Sequence, residues 1–160
     1  MSHFTLSLPL KDADATVRLG AVLAGLARAG DVLALWGDLG AGKSTLARGA
    51  VRALTRPDED VPSPTFTLVQ TYEPSDPERP PIWHFDLYRL DDPEDALALA
   101  IDDAFADAFS LIEWPERLGT WLPARRLDIR LTPEGNERLA ALEFGDDWAR
   151  RLMPAFTDFF

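Results

Sequence analysis

The chain contains no cysteine and only two histidines, His3 and His84. The first absence excludes a disulfide framework, a thiolate nucleophile and a cysteine-ligated zinc. The second argues against a histidine metal cluster. No apolar run approaches the ~18–20 residues needed to cross a bilayer. The start, MSHFTLSLPLKDADAT, lacks the basic segment and apolar stretch of a secretory signal, so a cytoplasmic location is expected. Positive charge is also scarce: 16 Lys plus Arg face 27 acids, a formal net charge of −11. Nucleic-acid affinity comes largely from Lys and Arg neutralising phosphates. Autonomous nucleic-acid binding is therefore not expected, and any action on RNA or DNA would run through another protein.

The 160 residues, 46% of them hydrophobic, are expected to form one domain spanning 1–160 with a core of its own. FTLSLPL reads as a first strand. In DADATVRLGAVLAGLARAG, Leu19, Val22, Leu23 and Leu26 fall on one helical face, with Asp12 or Asp14 as cap and Gly30 as stop. DVLALWG has the continuous apolar character of a buried parallel strand. A second helix is predicted from about Ser44 to Leu54. TFTLVQTYE and IWHFDLYRL read as two strands joined by the proline-rich PSDPERPP. The acidic stretch Asp91–Asp107 reads as a helix or two short helices with a solvated face. A strand ending at Glu113 and a short helix from Pro115 come next. RLDIRLTPEGNERLAALEF then reads as a hairpin turning at TPEGNE. The apolar end, WARRLMPAFTDFF, is expected to dock on the domain or on a partner. The order predicts a three-layer α/β fold with a mostly parallel central sheet and an antiparallel hairpin excursion at an edge, and the glycine-rich stretch GDLGAGKS makes it one of the P-loop NTPase type.

GDLGAGKS, Gly37 to Ser44, matches G-x-x-x-x-G-K-[ST] in full, between a predicted strand and a predicted helix. With Gly 10, Lys 2 and Ser plus Thr 16 among 160 residues, an accidental match arises in roughly one such sequence in a thousand. Gly37, Gly40 and Gly42 let successive N–H groups wrap a phosphate, and the helix N-terminus adds partial positive charge. Asp38, Leu39 and Ala41 complete the loop. Lys43 is placed for the β- and γ-phosphates, and the Ser44 hydroxyl for magnesium. A guanine-reading Asn-Lys-x-Asp motif is excluded, because the only asparagine is Asn136, followed by Glu137. ATP is therefore the expected nucleotide, with Mg2+.

Hydrolysis needs further acids. Asp86 lies on the polar face of its strand with His84 and Tyr88; it is either solvated at an edge or associated with magnesium. Glu113 ends an apolar strand, where ligands gather in doubly wound folds; it serves magnesium and water or caps the next helix. Trp114 beside it packs at the strand end or lines the nucleotide.

GDLGAGKST, SPTFTLVQTYE, HFDLYRL and LIEWPERLG, in this order and spacing, resemble the bacterial TsaE (YjeE) family over about residues 14 to 131. The resemblance implies a small ATPase required for threonylcarbamoyladenosine in tRNA. It implies association with a TsaB–TsaD pair, whose turnover the hydrolysis supports. It implies phosphate and magnesium roles for Lys43 and Ser44, with Thr45 beside them, and catalytic or magnesium-linked roles for Asp86 and Glu113. Trp114 and Thr16 would lie near the nucleotide, Thr16 in a region before the first helix. Ser63, Pro64, Thr65 and Phe66 would form a switch-like loop. ALALAIDDAFADAF lacks a glycine common in that family. Two alternatives stand beside this reading: a small-molecule kinase, for which Ala124–Arg126 is the candidate basic lid, and a non-catalytic module gated by nucleotide.

Overall fold

The computed structural model describes residues 2–156. Its single sheet has seven strands: β1 (Phe4–Leu10), β2 (Val32–Trp36), β3 (Val69–Tyr72), β4 (Ile82–Asp86), β5 (Phe109–Glu113), β6 (Leu127–Glu134) and β7 (Glu137–Phe144). They lie in the order β1-β7-β6-β2-β5-β4-β3. The four inner neighbours β6, β2, β5 and β4 are parallel. The two ends are antiparallel: β3 against β4 on one side, β7 against β6 and β1 on the other. Thus the α/β class holds, the proline-rich hairpin forms one edge, and β1 sits at the far edge rather than beside β2.

Successive residues of a strand face opposite sides of the sheet, and here they sort into two cores. Leu33, Leu35, Phe109 and Leu111 pack with Leu19 and Leu23 of α1 (Ala13–Leu26), and with Leu46 and Val51 of α2 (Lys43–Leu54). Val32, Phe85 and Ile112 pack on the other side with Ala104 of α3 (Ile101–Asp107) and Leu118. The helices α1 and α2 cross at close range: a Cβ on Gly20 would meet the Leu46 carbonyl oxygen, and one on Gly49 the Val17 carbonyl oxygen.

Several expected boundaries move, each for a local reason. Asp12 caps α1, accepting from the Ala15 N–H at 2.8 Å, but the helix stops at Leu26, short of Gly30. Arginines from elsewhere take its last carbonyls: Arg151 donates to Leu26 O at 2.9 Å and Arg79 to Gly25 O at 3.1 Å. The stretch expected as strand from Thr65 is a turn up to Leu68, which takes φ 68°. Its N–H donates to Pro64 O and its carbonyl accepts from Asp86 N–H. β4 ends at Asp86, not Leu90, because the Asp86 carboxylate turns the chain by accepting from the Tyr88 N–H at 3.1 Å. The acidic stretch forms two pieces, a 3-10 segment (Pro93–Leu99) and α3, broken at Ala100 with φ 58° and ψ 38°. Its carboxylate residues are exposed. The terminal helix α4 (Asp146–Phe156) docks on the domain through buried Trp148, Leu152 and Phe156. Its Arg151 is ion-paired with Asp31 at 2.6 Å, both side chains buried. The rest of the expected docking tail, residues 157–160, lies outside the described residues.

Candidate nucleotide site

The loop 37–42 leaves the carboxyl end of β2 and enters α2, with β5 and β4 ending alongside in register: Leu35 pairs with Glu113, and Glu113 with Asp86. In the loop, Gly37 (φ 146°), Gly40 (φ 79°) and Gly42 (φ 108°) all have positive φ. At Gly37 a Cβ would also lie 2.8 Å from the Leu131 carbonyl oxygen, so no other residue fits there without movement. Among the described residues, a cleft of about 250 Å3 opens over this loop, lined by Lys43, Ser44, Asp86, Glu113 and Trp114 among others.

Each of these side chains already has an internal partner. The Lys43 ammonium donates to Gly37 O at 2.5 Å and lies 3.4 Å from the centre of the Trp114 ring. Burial pushes the Lys43 ammonium below its ordinary 10.5, an effect partly offset by Glu113, Glu116, Asp86 and Asp38. The Ser44 hydroxyl reaches both oxygens of Glu113, at 3.0 Å and 3.2 Å. Glu113 is 3% exposed, and its Oε2 also lies 2.6 Å from His84 Nε2. The Asp86 carboxylate accepts from Thr65 at 3.1 Å and from Ser63 at 3.3 Å, tying the 63–66 loop to the end of β4. At 5% exposed and one strand in from the edge, Asp86 is not a solvated edge residue.

Trp114 stands between the core and the cleft. It packs partly into the second core and also faces the cleft, with the Tyr88 ring 4.9 Å away. It holds φ 60° and ψ 51°, the left-handed region, which costs a non-glycine residue roughly 1 kcal/mol. That turn points its ring back over Lys43 instead of continuing β5.

Not every expected residue joins the cleft. Thr16 lies in the first turns of α1, not before it, and lines an adjoining pocket of about 170 Å3 with Asp12 and Asn136. Gly42, Thr45 and Arg138 border both cavities. Pro64 is buried and Phe66 is 82% exposed, its ring under the Arg89 guanidinium at 4.6 Å. Leu39 stands on the rim, 72% exposed. The proposed basic lid is elsewhere: Arg125 and Arg126 are bound to Asp147 and Asp128, just before β6 begins. Since Leu127 pairs with Leu33 near the start of β2, that is the end of the parallel strands away from the loop.

Two residues to which sequence reasoning gives no role border the candidate site. His84 shares a strand face with Asp86, as period-2 alternation indicates, but its contact with Glu113 crosses to the next strand. Arg138, on β7, donates to Gly40 O at 3.1 Å. Nothing local in ERLAALEF signals that role; it requires the knowledge that β6 lies beside β2.

The set Ser44 hydroxyl, Glu113 and Asp86 is all oxygen, which suits a hard cation such as magnesium. Among the described residues no group of three or more His, Cys, Asp or Glu forms a metal cage. A magnesium ion here would thus draw its remaining ligands from phosphate and water, its usual manner of binding in nucleotide sites.

Residues 10–140 match the sequence profile of a family described as threonylcarbamoyl adenosine biosynthesis protein TsaE. The tRNA threonylcarbamoyladenosine biosynthesis protein TsaE of Mycobacterium leprae is 43% identical over 122 residues, covering 72% of this chain and 75% of that protein. The protein of the same name from Rickettsia felis is 34% identical over 136 residues, covering 84% and 78%. The crystal structure of YdiB from Bacillus subtilis superposes with a TM-score of 0.79 at 26% identity, covering 98% of this chain and 97% of that one. With a profile match over most of its length and relatives of this closeness, the chain belongs to the TsaE family.

Proposed function

We propose that the protein binds and hydrolyses Mg-ATP as an accessory factor in threonylcarbamoyladenosine modification of tRNA, supporting turnover of a TsaB–TsaD-type transferase in the cytoplasm. The observation that carries the reading is the Ser44–Glu113 contact. It joins the hydroxyl at the start of α2 to a buried acid at the end of the neighbouring parallel strand. Membership of the TsaE family supplies the pathway.

In this reading the loop N–H groups and Lys43 hold the phosphates, and the adenosine lies toward the pocket of Thr16, Asp12 and Asn136. Magnesium, held near Ser44, Glu113 and Asp86, would supply neutralisation of phosphate charge. Ser44 would hold that ion in place of its present bond to Glu113. Glu113, freed of Ser44, accepts protons from water in the site and orients it. Asp86 keeps Thr65 and Ser63 against the cleft, so the 63–66 loop senses whether the phosphates are there. Trp114 gives up its hold on Lys43 and shields the reacting groups from bulk solvent. The charge of −11 leaves tRNA to the partner proteins.

Steady-state phosphate release, measured alone and with TsaB–TsaD partners and with Lys43→Ala as blank, tests this reading. Slow turnover that rises with the partners and vanishes in the variant is expected. Turnover indifferent to the partners, or dependent on a small-molecule acceptor, would promote the kinase reading.

A further inference from the structure

Resting on that reading, we propose that His84 is the positioning residue for Glu113, fixing its carboxylate for magnesium after Ser44 lets go. Ile82, His84 and Asp86 alternate along β4 toward α2, and Ile82 joins the core there. A leucine or phenylalanine would fill the middle position at no polar cost. Instead there is an imidazole, 1% exposed, whose Nδ1 has no hydrogen-bond partner among the described residues. Leaving a buried polar atom unpaired is unfavourable, so packing alone does not account for the residue. Its other nitrogen makes the 2.6 Å contact to Glu113 Oε2.

An ionised carboxylate only accepts, so Nε2 carries the proton and donates. Ser44 is the other side-chain donor to Glu113 among the described residues. Once the Ser44 hydroxyl turns to a metal ion, His84 is the side chain left to hold the acid's orientation. Partners that hold metal-linked groups in this way typically matter by 10–100-fold in metal affinity or activity.

The test compares the full chain with His84→Phe, which keeps the ring without the donor, and His84→Gln, whose amide places an N–H near the lost Nε2–H. Magnesium is titrated against ATP binding, followed by tryptophan fluorescence. His84→Phe is expected to raise the half-saturating magnesium concentration by about 10–100-fold and to leave ATP binding in EDTA unchanged. His84→Gln should restore most of the loss. Because the chain has only two histidines, the wild-type protein labelled with [15N]histidine gives a second readout that needs no variant to fold. The His84 Nε2–H resonance should move when magnesium joins ATP, beyond any shift from ATP in EDTA. An unchanged magnesium requirement in a folded His84→Phe, or a resonance indifferent to magnesium, overturns the positioning role alone. Wild-type protein with no magnesium-dependent ATP binding overturns the functional reading and this role with it.

Discussion

Glu113→Gln removes one charge from the centre of the site and nothing else of comparable size. Glutamine has the same length and keeps a carbonyl oxygen, so His84 Nε2, 2.6 Å from the present carboxylate, retains an acceptor. Ser44, now donating at 3.0 Å and 3.2 Å, can accept from the new amide. Replacing charge-assisted hydrogen bonds by neutral ones loses about 1 kcal/mol each, roughly 2 kcal/mol for the two partners. Against this, a 3% exposed carboxylate no longer has to be desolvated. The net change in stability should stay within about 1 kcal/mol, a melting shift of no more than ~4 °C for a chain of this size.

The proposed hydrolysis has no such offset. A positioned acid–base group contributes about 10²–10⁴-fold, which at 1.36 kcal/mol per decade is roughly 3–5 kcal/mol of barrier. The variant should therefore fold, bind ATP and hydrolyse it at least 100-fold more slowly. Phosphate release in the presence of the partners, melting curves and an ATP titration separate these quantities. Turnover within about threefold of wild type would refute the catalytic assignment. Loss of ATP binding in step with turnover would instead make Glu113 a binding group.

Other perturbations probe the frame around the site. Ala100→Gly relieves a non-glycine residue at φ 58° and should stabilise by about 0.5–1 kcal/mol, seen as a melting point ~1–4 °C higher; no rise would mean the break between the 3-10 segment and α3 is unstrained. Gly49→Ala sets a Cβ about 2.3 Å from the Val17 carbonyl oxygen; the helices must part, at about 3 kcal/mol, and denaturant melts matching wild type would refute the close crossing. Asp147 is held near pKa 2 against an ordinary 3.8, chiefly by its hydrogen bond from Arg125 and then by Arg151. Its pKa is depressed in the folded state, so its contribution is full above about pH 4 and lost as pH falls toward 2. Because Arg125 is 80% exposed, screening reduces that contribution to on the order of 1 kcal/mol. Asp147→Asn should thus melt lower at pH 7 and converge with wild type near pH 2; a gap constant across that range would refute the linkage.

Much of this frame is legible in the sequence because its signals are local. The loop Gly37–Ser44 needs particular residues at particular positions, and VLALW is apolar throughout because both faces of β2 are covered. What escapes is set by residues distant in the chain. The end of α1 depends on Arg79 and Arg151, which take its last carbonyls. The turn through 65–68 depends on a backbone bond from Asp86, whereas Thr, Phe and Val by propensity alone read as strand. β1 leads into α1 and then β2, yet pairs with β7, a choice that becomes available only once the 127–144 hairpin exists. Arg138 is invisible for the same reason. His84 is a different case: alternation marks its position, and only its partner, on the next strand, goes unmarked.

The internal contacts also bear on how such a site would respond to nucleotide. Lys43, Ser44 and Arg138 each already donate to a protein acceptor, Gly37 O, Glu113 and Gly40 O respectively. Binding a nucleotide would therefore exchange hydrogen bonds rather than satisfy orphans, and exchange contributes little net free energy. Charge matters more. Lys43 is destabilised by burial and has four carboxylates near it, an arrangement that suits the ammonium but repels a polyphosphate. In the proposed reading a divalent cation held near Glu113 and Asp86 would offset that repulsion. Nucleotide and magnesium would then bind with mutual dependence. The residues that set the orientation of the acids, His84 for Glu113 and the Ser63 and Thr65 hydroxyls for Asp86, would govern that dependence.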